Sequence, residues 1–142
     1  VPGVPVIYDG NDKDAAEVIA AKAKELGSPA YKVVQAGAKV LGNNKDGIDF
    51  SLEDDYYGDT RFHIPFIAWY QVMNASLALT TMEVLKDRIP VTMEQLQAGI
   101  ANTRWQGRME TILPGVIVDG AHNEDACVGL WRLQSGFRRS IR

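Results

Sequence analysis

The stretch Thr103–Asn123, TRWQGRMETILPGVIVDGAHN, decides how this chain is organised. It places Arg108 in a turn, continues into a short apolar strand at residues 115–118, and ends in the polar run Asp119–Asn123. In open α/β sheets, ligands bind outside the carboxyl ends of strands, so a polar cluster there is a candidate site. The glycine and the alanine within the run let a ligand or phosphate approach the backbone closely. An ordinary strand end with polar caps is the alternative, and spacing alone does not separate the two.

Composition bounds the class of protein. A chain of 142 residues can bury a core, and its 46% hydrophobic and 23% charged residues are typical of a globular protein. The net charge of −3 argues against nucleic-acid binding through a basic surface. No apolar run approaches the roughly 20 residues of a membrane-spanning helix, and no signal peptide is visible. The single cysteine, Cys127, cannot form an internal disulfide, so we expect a cytoplasmic protein without membrane or nucleic-acid partners.

The beginning of the chain has the pattern of a β-α-β unit. Residues 5–8 and 30–34 predict strands on either side of a helix at residues 14–26. Asp14 and Glu17 have the spacing of a capping box at the start of this helix. Such a unit normally pairs its strands in parallel through a right-handed crossover. The apolar face expected for the helix consists of Ala15, Val18, Ile19, Ala23 and Leu26.

The next segment predicts a loop followed by a hairpin. Residues 35–47 are polar and contain glycine, which favours a loop. Residues 48–52 and 61–64 alternate between apolar and polar side chains, which predicts two antiparallel strands. His63 lies on the polar side of that alternation. We interpret it as a surface residue rather than a metal ligand, because no second ligand stands at a useful spacing.

Two helices are predicted after the hairpin. Residues 71–86 are apolar on most sides, which is typical of a helix buried against a sheet. Asn74 stands in the first turn of that helix, where its amide can cap the helix or contact a ligand. Thr92 begins the second helix, with a glutamine at capping-box spacing. Residues 104–108 then form the connector that we take as a domain boundary, and we expect Trp105 within it to pack into a core.

Two blocks of the sequence resemble a known family. WQGRME at residues 105–110, followed by DGAHN at residues 119–123, resembles the segment that joins the central and C-terminal domains of folylpolyglutamate synthases. These proteins are Mur-type ATP-dependent amide ligases. YQVMNA at residues 70–75, with LAL at residues 77–79, is similar to the helix start that precedes that segment in the same family. Two blocks in the right order are much harder to obtain by chance than either alone.

The resemblance implies an α/β fold in two parts. Residues 1–103 would be the C-terminal part of a central ATP-binding domain of the Mur-ligase type, made of the β-α-β unit, the antiparallel hairpin and the two helices. Residues 104–142 would be the linker and the start of a Rossmann-like C-terminal (glutamate ligase) domain. The strand at residues 115–118 and a helix at residues 124–134 would form the first β-α element of that domain.

The sequence contains no GxxxxGK[ST] phosphate loop, which ligases of this family carry upstream together with a carbamylated lysine. One strand and one helix also do not complete a C-terminal α/β domain. We therefore expect a fragment that is inactive by itself and comes from a monomeric parent enzyme. Exposed sheet edges would make the fragment prone to self-association.

The resemblance also implies roles for individual residues. Asn74 would lie near the adenine of ATP, and Asp119 would accept hydrogen bonds from the ribose hydroxyls. Arg108 would reach the ATP phosphates and act as a catalytic residue, a task that suits a bidentate and always charged guanidinium. His122 would be a catalytic and substrate-binding residue near the incoming glutamate or the transferred phosphoryl group, with Asn123 beside it. The expected cofactors are ATP and Mg²⁺, with the metal ligands outside this chain.

Each role has a structural alternative, and the function has alternatives as well. Asn74 and Asp119 could each cap a helix, and Arg108 could pair with Glu110. The resemblance implies a ligase that uses ATP to add L-glutamate to folates through an acyl phosphate, with dihydrofolate synthase activity left open. One alternative is a Mur-type ligase for cell-wall peptides, which typically carries an aromatic residue where Gly120 stands. Another is a nucleotide-binding module without catalytic activity.

Overall fold

The computed structural model describes residues 1–114, 116–122 and 127. In chain order its elements are β1 (Val6–Asp9), α1 (Lys13–Glu25), β2 (Ala30–Val33), β3 (Ala38–Asn44), β4 (Gly47–Leu52), β5 (Phe62–Ile64), α2 (Tyr70–Val84), α3 (Met93–Ala101), β6 (Glu110–Leu113) and β7 (Val116–Val118). The described strands form a parallel β1–β2 pair, an antiparallel β3–β4–β5 sheet and an antiparallel β6–β7 ribbon. The predicted α/β class is confirmed. Apart from residue 127, the helix predicted at residues 124–134 lies outside the described residues.

The β-α-β unit forms as predicted, but its helix begins differently. β1 and β2 pair in parallel over four residues each. The side chain of Asp12 caps α1 by accepting a hydrogen bond from the backbone N–H of Ala15 at 3.0 Å. The predicted capping box at Asp14 and Glu17 is therefore wrong, because α1 begins at Lys13 and Asp14 already lies inside its first turn.

The buried side of α1 also differs from the expected face. Ala15 is exposed and Val18 is 70% exposed, whereas Ala16 and Ala23 are buried. The other expected face residues, Ile19 and Leu26, are half-buried. The expected face and the observed buried face of α1 share residues 19, 23 and 26. The apolar spacing was therefore compatible with either face. Contact of α1 with β1 and β2 decides between them.

Residues 35–47 are not the loop that their composition predicted. They contain a 3-10 turn at Gln35–Gly37 and the strand β3, which pairs with β4 through the two-residue turn Lys45-Asp46. The pairing contains an irregularity between Val40 and Gly42. β3 is an edge strand whose side chains are mostly exposed, so it shows no apolar alternation. Its backbone hydrogen bonds to β4 make it a strand, and those are not visible in a side-chain pattern.

The core lies between the inner face of β4–β5 and the helices α2 and α3. Phe50 and Phe62 are opposite each other on neighbouring strands, with ring centroids 5.7 Å apart. The buried hydroxyl of Tyr57 donates to the Leu79 carbonyl at 2.7 Å, and burial raises the pKa of Tyr57. The buried core residues are Ile48, Phe50, Leu52, Tyr57, Phe62, Ile64, Val72, Ala75, Leu79 and Leu96.

Both predicted helices after the hairpin are confirmed, and α2 occupies the centre of the described structure. It contacts both strands of the parallel pair and all three strands of the antiparallel sheet. This explains why it is apolar on most sides. The predicted capping box of α3 is also confirmed, since Thr92 and Gln95 exchange side-chain to backbone hydrogen bonds. No helix in the described part of the chain is long and apolar enough to cross a membrane.

The outer face of β4–β5 carries a polar cluster centred on Asp49. Its carboxylate accepts hydrogen bonds from Arg61 Nη2 at 2.6 Å and from His63 Nδ1 at 3.0 Å. The hydrogen bond from Arg61, followed by that from His63, lowers the pKa of Asp49. Asp49 is 18% exposed, and His63 is half-buried rather than fully on the surface. The cluster therefore ties the two strands together on the side away from the core.

We predict that Asp49→Asn weakens the fold at neutral pH. The folded pKa of Asp49 lies below its unfolded value of about 3.9, so its ion pairs stabilise the fold above that value. This stabilisation disappears as the pH falls through the folded pKa. The substitution should lower the free energy of unfolding by about 1 kcal/mol at pH 7, and this loss should become smaller as the pH falls from 7 to 2. Urea unfolding across this range measures both effects, with Asp46→Asn in the exposed turn as the control. An equal effect of the two substitutions would contradict the prediction.

We also predict that Gly47→Ala is strongly destabilising. Gly47 begins β4 with φ +146°, and an added Cβ would overlap the carbonyl oxygen of Ile64 on the adjacent strand. The clash and the backbone strain together should cost about 3 kcal/mol. Gly58 is the matched control, because it has φ +52° but open space around its Cα. Thermal unfolding should show a much smaller loss for Gly58→Ala, and similar losses would exclude the clash as the cause.

Candidate functional site

The polar run after β7 forms a tight loop around the carboxylate of Asp119. Oδ1 accepts a hydrogen bond from the backbone N–H of Ala121 at 2.8 Å. Oδ2 accepts one from the backbone N–H of Met109 at 2.9 Å and a weaker one from the hydroxyl of Tyr70 at 3.4 Å. Asp119 thus joins the loop, the connector and the start of α2. Two carboxylate oxygens offer about four acceptor positions, so this carboxylate can still accept a hydrogen bond from a ligand.

Tyr70 is the donor from α2 to this carboxylate. Burial, and then the adjacent charge of Asp119, raise the pKa of Tyr70. The phenol therefore stays protonated and able to donate at neutral pH. The sequence contained a signal for this contact, because Tyr70 precedes Asn74 by four residues and so lies on the same face of α2. Sequence reasoning nevertheless gave Tyr70 no role, since nothing in the pattern showed that this face meets the loop.

The connector before β6 has an unusual backbone conformation. Gly107 has φ +68°, and Met109 has φ +51°, which costs a non-glycine residue about 1 kcal/mol or more. Two hydrogen bonds hold this conformation: the N–H of Gly120 donates to the Gly107 carbonyl at 2.6 Å, and the N–H of Met109 donates to Asp119. The strained backbone therefore lies where the connector meets the Asp119 loop. Such concentration of strain is frequent at functional sites.

Arg108 lies within this strained segment and beside the loop. A Cβ added to Gly120 would be 3.7 Å from its Nη1, so the guanidinium and the loop backbone are close neighbours. The carbon Cζ of Arg108 is 5.9 Å from the ring centroid of Trp105. Glu110 does not pair with Arg108 within the described residues. Its Oε2 instead accepts the backbone N–H of Gly107 at 2.7 Å. The surface-pair interpretation of Arg108 is therefore wrong.

His122 and Asn123 follow Asp119 in the loop. His122 is exposed, and its Nδ1 is 2.9 Å from the carbonyl oxygen of Gly120. Donation from Nδ1 to this carbonyl leaves Nε2 as the acceptor of a neutral imidazole. His122 thus lies in the same loop as Asp119. It also contacts Gly120, whose backbone is close to the guanidinium of Arg108. Asn123 lies outside the described residues.

Asn74 lies on α2, one helical turn after Tyr70. Its Nδ2 donates to Oε1 of Gln71 at 2.9 Å, so the two amides orient each other. Asn74 does not cap α2, because the helix begins at Tyr70 and its N-cap, Trp69, makes no side-chain capping bond. The capping interpretation of Asn74 is therefore wrong. The side chain lines a cavity instead.

This cavity has a volume of about 380 Å³ and is mainly apolar. Ile100 and Phe66 contribute apolar surface, whereas Asn74 and Gln71 contribute the two amides. Trp105 also lines it and is 67% exposed, so the expectation that Trp105 packs into a core is wrong. A mainly apolar cavity that is lined by two amide groups suits an aromatic ligand with hydrogen-bonding edges.

A second cavity adjoins the first. It has a volume of about 290 Å³, and Phe66 and Trp105 line both cavities. Its charged lining residues are Lys45, Arg104, Arg108 and Glu110. Sequence reasoning had assigned Arg108 to phosphates but gave no role to the other two cations. One of them, Lys45, lines this cavity because it lies in the β3–β4 turn.

Comparison with known proteins identifies relatives of the chain, although no protein-family model matches it. It is 32% identical over 136 residues to the folylpolyglutamate synthase of Lacticaseibacillus casei, a match that covers 90% of this chain and 31% of the relative. It is 26% identical over 141 residues to a probable dihydrofolate synthetase of Schizosaccharomyces pombe, covering 96% of this chain and 33% of the relative. The chain thus spans about a third of the length of the curated relatives it matches.

Solved structures agree with the sequence matches. The fold superposes on a folylpolyglutamate synthase in complex with AMPPCP and folate with a TM-score of 0.82 and 29% identity, covering 96% of this chain and 34% of that one. MurF from Acinetobacter baumannii shares the fold with a TM-score of 0.65 and 20% identity, covering 90% of this chain and 28% of that one. The architecture is therefore that of the Mur ligases.

Over nearly its whole length, the chain is similar to folylpolyglutamate synthases and dihydrofolate synthases. The resemblance inferred from the two sequence blocks is confirmed. The domain boundary at residues 103 and 104 stays a prediction, as do the roles of Asn74, Arg108, Asp119 and His122.

We predict that Asp119→Ala releases the connector. The mutation removes the charged acceptor of the Met109 N–H, so exchange of that amide with deuterium should become about tenfold faster. Tyr70→Phe is the matched control, because it removes only the weaker 3.4 Å contact and should change exchange at Met109 less than about twofold. NMR-detected hydrogen exchange measures both. Unchanged protection in Asp119→Ala would show that the carboxylate does not hold the connector.

Proposed function

We propose that the chain contributes the nucleotide-contacting part of an ATP-dependent ligase that adds L-glutamate to folates through an acyl phosphate. One observation carries this proposal: a mainly apolar cavity with two amides adjoins a cationic cavity, and Trp105 lines both. A nucleotide has the same arrangement, a flat base at one end and phosphates at the other. The relative bound to AMPPCP and folate supports ATP and folate as the ligands.

The residues around the cavities fit the parts of the nucleotide. The amides of Asn74 and Gln71 can both donate to and accept from the edge of adenine. Asp119 has acceptor capacity for ribose hydroxyls, and Arg108 can bind phosphate oxygens in a bidentate manner. We therefore keep Asn74, Asp119 and Arg108 as the proposed nucleotide-binding residues.

The proposed chemistry needs stabilisation of negative charge. The folate carboxylate attacks the γ-phosphorus of ATP and displaces ADP, which forms an acyl phosphate. The amine of the incoming glutamate then attacks the acyl carbon, displaces phosphate and loses a proton to form the amide. The guanidinium of Arg108 would stabilise the charge that develops on phosphate oxygens during both steps. With Nδ1 donating to the Gly120 carbonyl, Nε2 of His122 would be the ring atom that faces the glutamate amine as an acceptor. His122 and Asn123 stay the proposed glutamate-binding residues.

Mg²⁺ would neutralise part of the triphosphate charge when it is bound. In residues 1–114, 116–122 and 127, no group of three or more His, Cys, Asp or Glu side chains could hold a metal ion. Following the family resemblance, we propose that the ligands of Mg²⁺ are the phosphates and residues of the parent protein outside this chain. For the same parent protein we propose a cytoplasmic location, which suits the unpaired Cys127.

The proposed organisation assigns residues 1–103 to the central ATP-binding domain and residues 104–142 to the linker and the start of the glutamate ligase domain. The strained connector and the Asp119 loop would then lie where the two domains meet. The match to a dihydrofolate synthetase supports dihydrofolate synthase activity as an additional reaction of the parent. A cell-wall ligase is less well supported, because the likeness to MurF is at 20% identity and shows the fold alone.

The nucleotide site can be tested by binding. We expect the chain to bind AMPPCP and adenosine, and Asn74→Ala to weaken both about five- to tenfold because hydrogen bonds to the base are lost. Asn43→Ala, on the exposed edge strand β3, is the control and should bind as the wild type does. Isothermal titration calorimetry measures the affinities. Equal affinities of the two variants would remove Asn74 from the site.

The ligase assignment is tested by the coding sequence around the chain. A phosphate loop and a lysine suited to carbamylation upstream of Val1, with further β-α units downstream of Arg142, would support the ligase. ATP-dependent addition of glutamate to folate by the complete gene product would then be measured. If the complete gene product lacks the phosphate loop, the non-catalytic nucleotide-binding module becomes the better proposal.

A further inference from the structure

The cavity of about 290 Å³ brings together cations from three separate segments. Lys45 lies in the β3–β4 turn, Arg104 follows α3, and Arg108 lies in the connector. Glu110 is the acidic residue among the lining side chains, and its Oε2 accepts the backbone N–H of Gly107 at 2.7 Å. The lining thus has three positive charges and one negative charge.

None of the three cations forms an ion pair with a carboxylate of the described residues. The Nη1 of Arg104 donates to the carbonyls of Ala101 at 3.3 Å and Thr103 at 2.9 Å, which fixes the guanidinium without neutralising it. Gathering like charges costs Coulomb energy, which an anion in the cavity would reverse. The cavity is therefore suited to an anion with several charges.

The position of Lys45 is set by the β3–β4 hairpin. The two-residue turn Lys45-Asp46 connects β3 and β4, and the N–H of Asp46 donates to Oδ1 of Asn44 at 2.8 Å. Gly47 follows and lies directly against the strand β5. The lysine thus belongs to a hydrogen-bonded two-residue turn between two paired strands.

We infer that Lys45 and Arg104 complete a polyphosphate-binding pocket with Arg108, in which Lys45 and Arg104 bind the phosphates of the nucleotide. This inference rests on the proposed function, since it takes the adjoining cavity as the site of the base. Phe66 and Trp105 line both cavities, so the proposed base and phosphate sites are neighbours. Phosphate oxygens match these cations: guanidinium groups bind them as a fork, and an ammonium binds them as a point charge.

The test is titration of the 142-residue chain with inorganic triphosphate, AMPPCP, adenosine and triglutamate by calorimetry. Lys45→Gln and Arg104→Gln should each weaken triphosphate and AMPPCP about five- to tenfold, and leave the affinity for adenosine unchanged. Lys45→Arg should retain most of the affinity. Lys39→Gln is the matched control, because Lys39 is an exposed lysine of the same hairpin that lines a different, acidic cavity.

The outcomes separate this inference from the proposed function. AMPPCP binding with the same triphosphate affinity in Lys45→Gln, Arg104→Gln and Lys39→Gln would overturn the inference and leave the nucleotide site intact. Tighter binding of triglutamate than of triphosphate would overturn the assignment to phosphate. If the wild-type chain binds neither adenosine nor AMPPCP, the proposed function and the inference both fail.

Discussion

The packing of α2 against the inner face of β4–β5 is the contact on which the candidate site depends. Phe50 and Phe62 form the sheet side of this core, and α2 also contacts the parallel β1–β2 pair. A helix enclosed on several sides cannot rotate without exposing apolar surface. The polar face that carries Tyr70 and Asn74 is therefore held toward the connector and the Asp119 loop.

Asp119 connects this helix to the other parts of the candidate site. Its carboxylate accepts hydrogen bonds from α2, from the connector and from its own loop. These bonds offset the strain of Met109 and hold Arg108 beside the loop. A residue proposed to bind a ligand thus also has a structural task, so the structural and functional interpretations of Asp119 are compatible. A substitution of Asp119 would therefore change both the structure of the loop and the proposed ligand binding.

Individual residues show which features of the structure the sequence predicted. The blocks at residues 70–75 and 105–123 predicted the resemblance to folylpolyglutamate synthases, and the strands of the β-α-β unit and of β4–β5 followed from their patterns. The edge strand β3 was missed, because backbone pairing makes it a strand while its side chains face water. Trp105 was expected in a core because of its size, but the connector holds it at the rim of two cavities.

Sequence by itself determined the elements whose side chains face a core, the start of α3 with its capping box, and the resemblance to folylpolyglutamate synthases. These depend on local spacing and chemistry, which a linear pattern records. Tertiary structure alone decided the buried face of α1, the contact of Tyr70 with Asp119, and the approach of Lys45 to the two arginines. Each of these depends on contacts between residues far apart in the chain, and a local pattern has no record of which faces will meet.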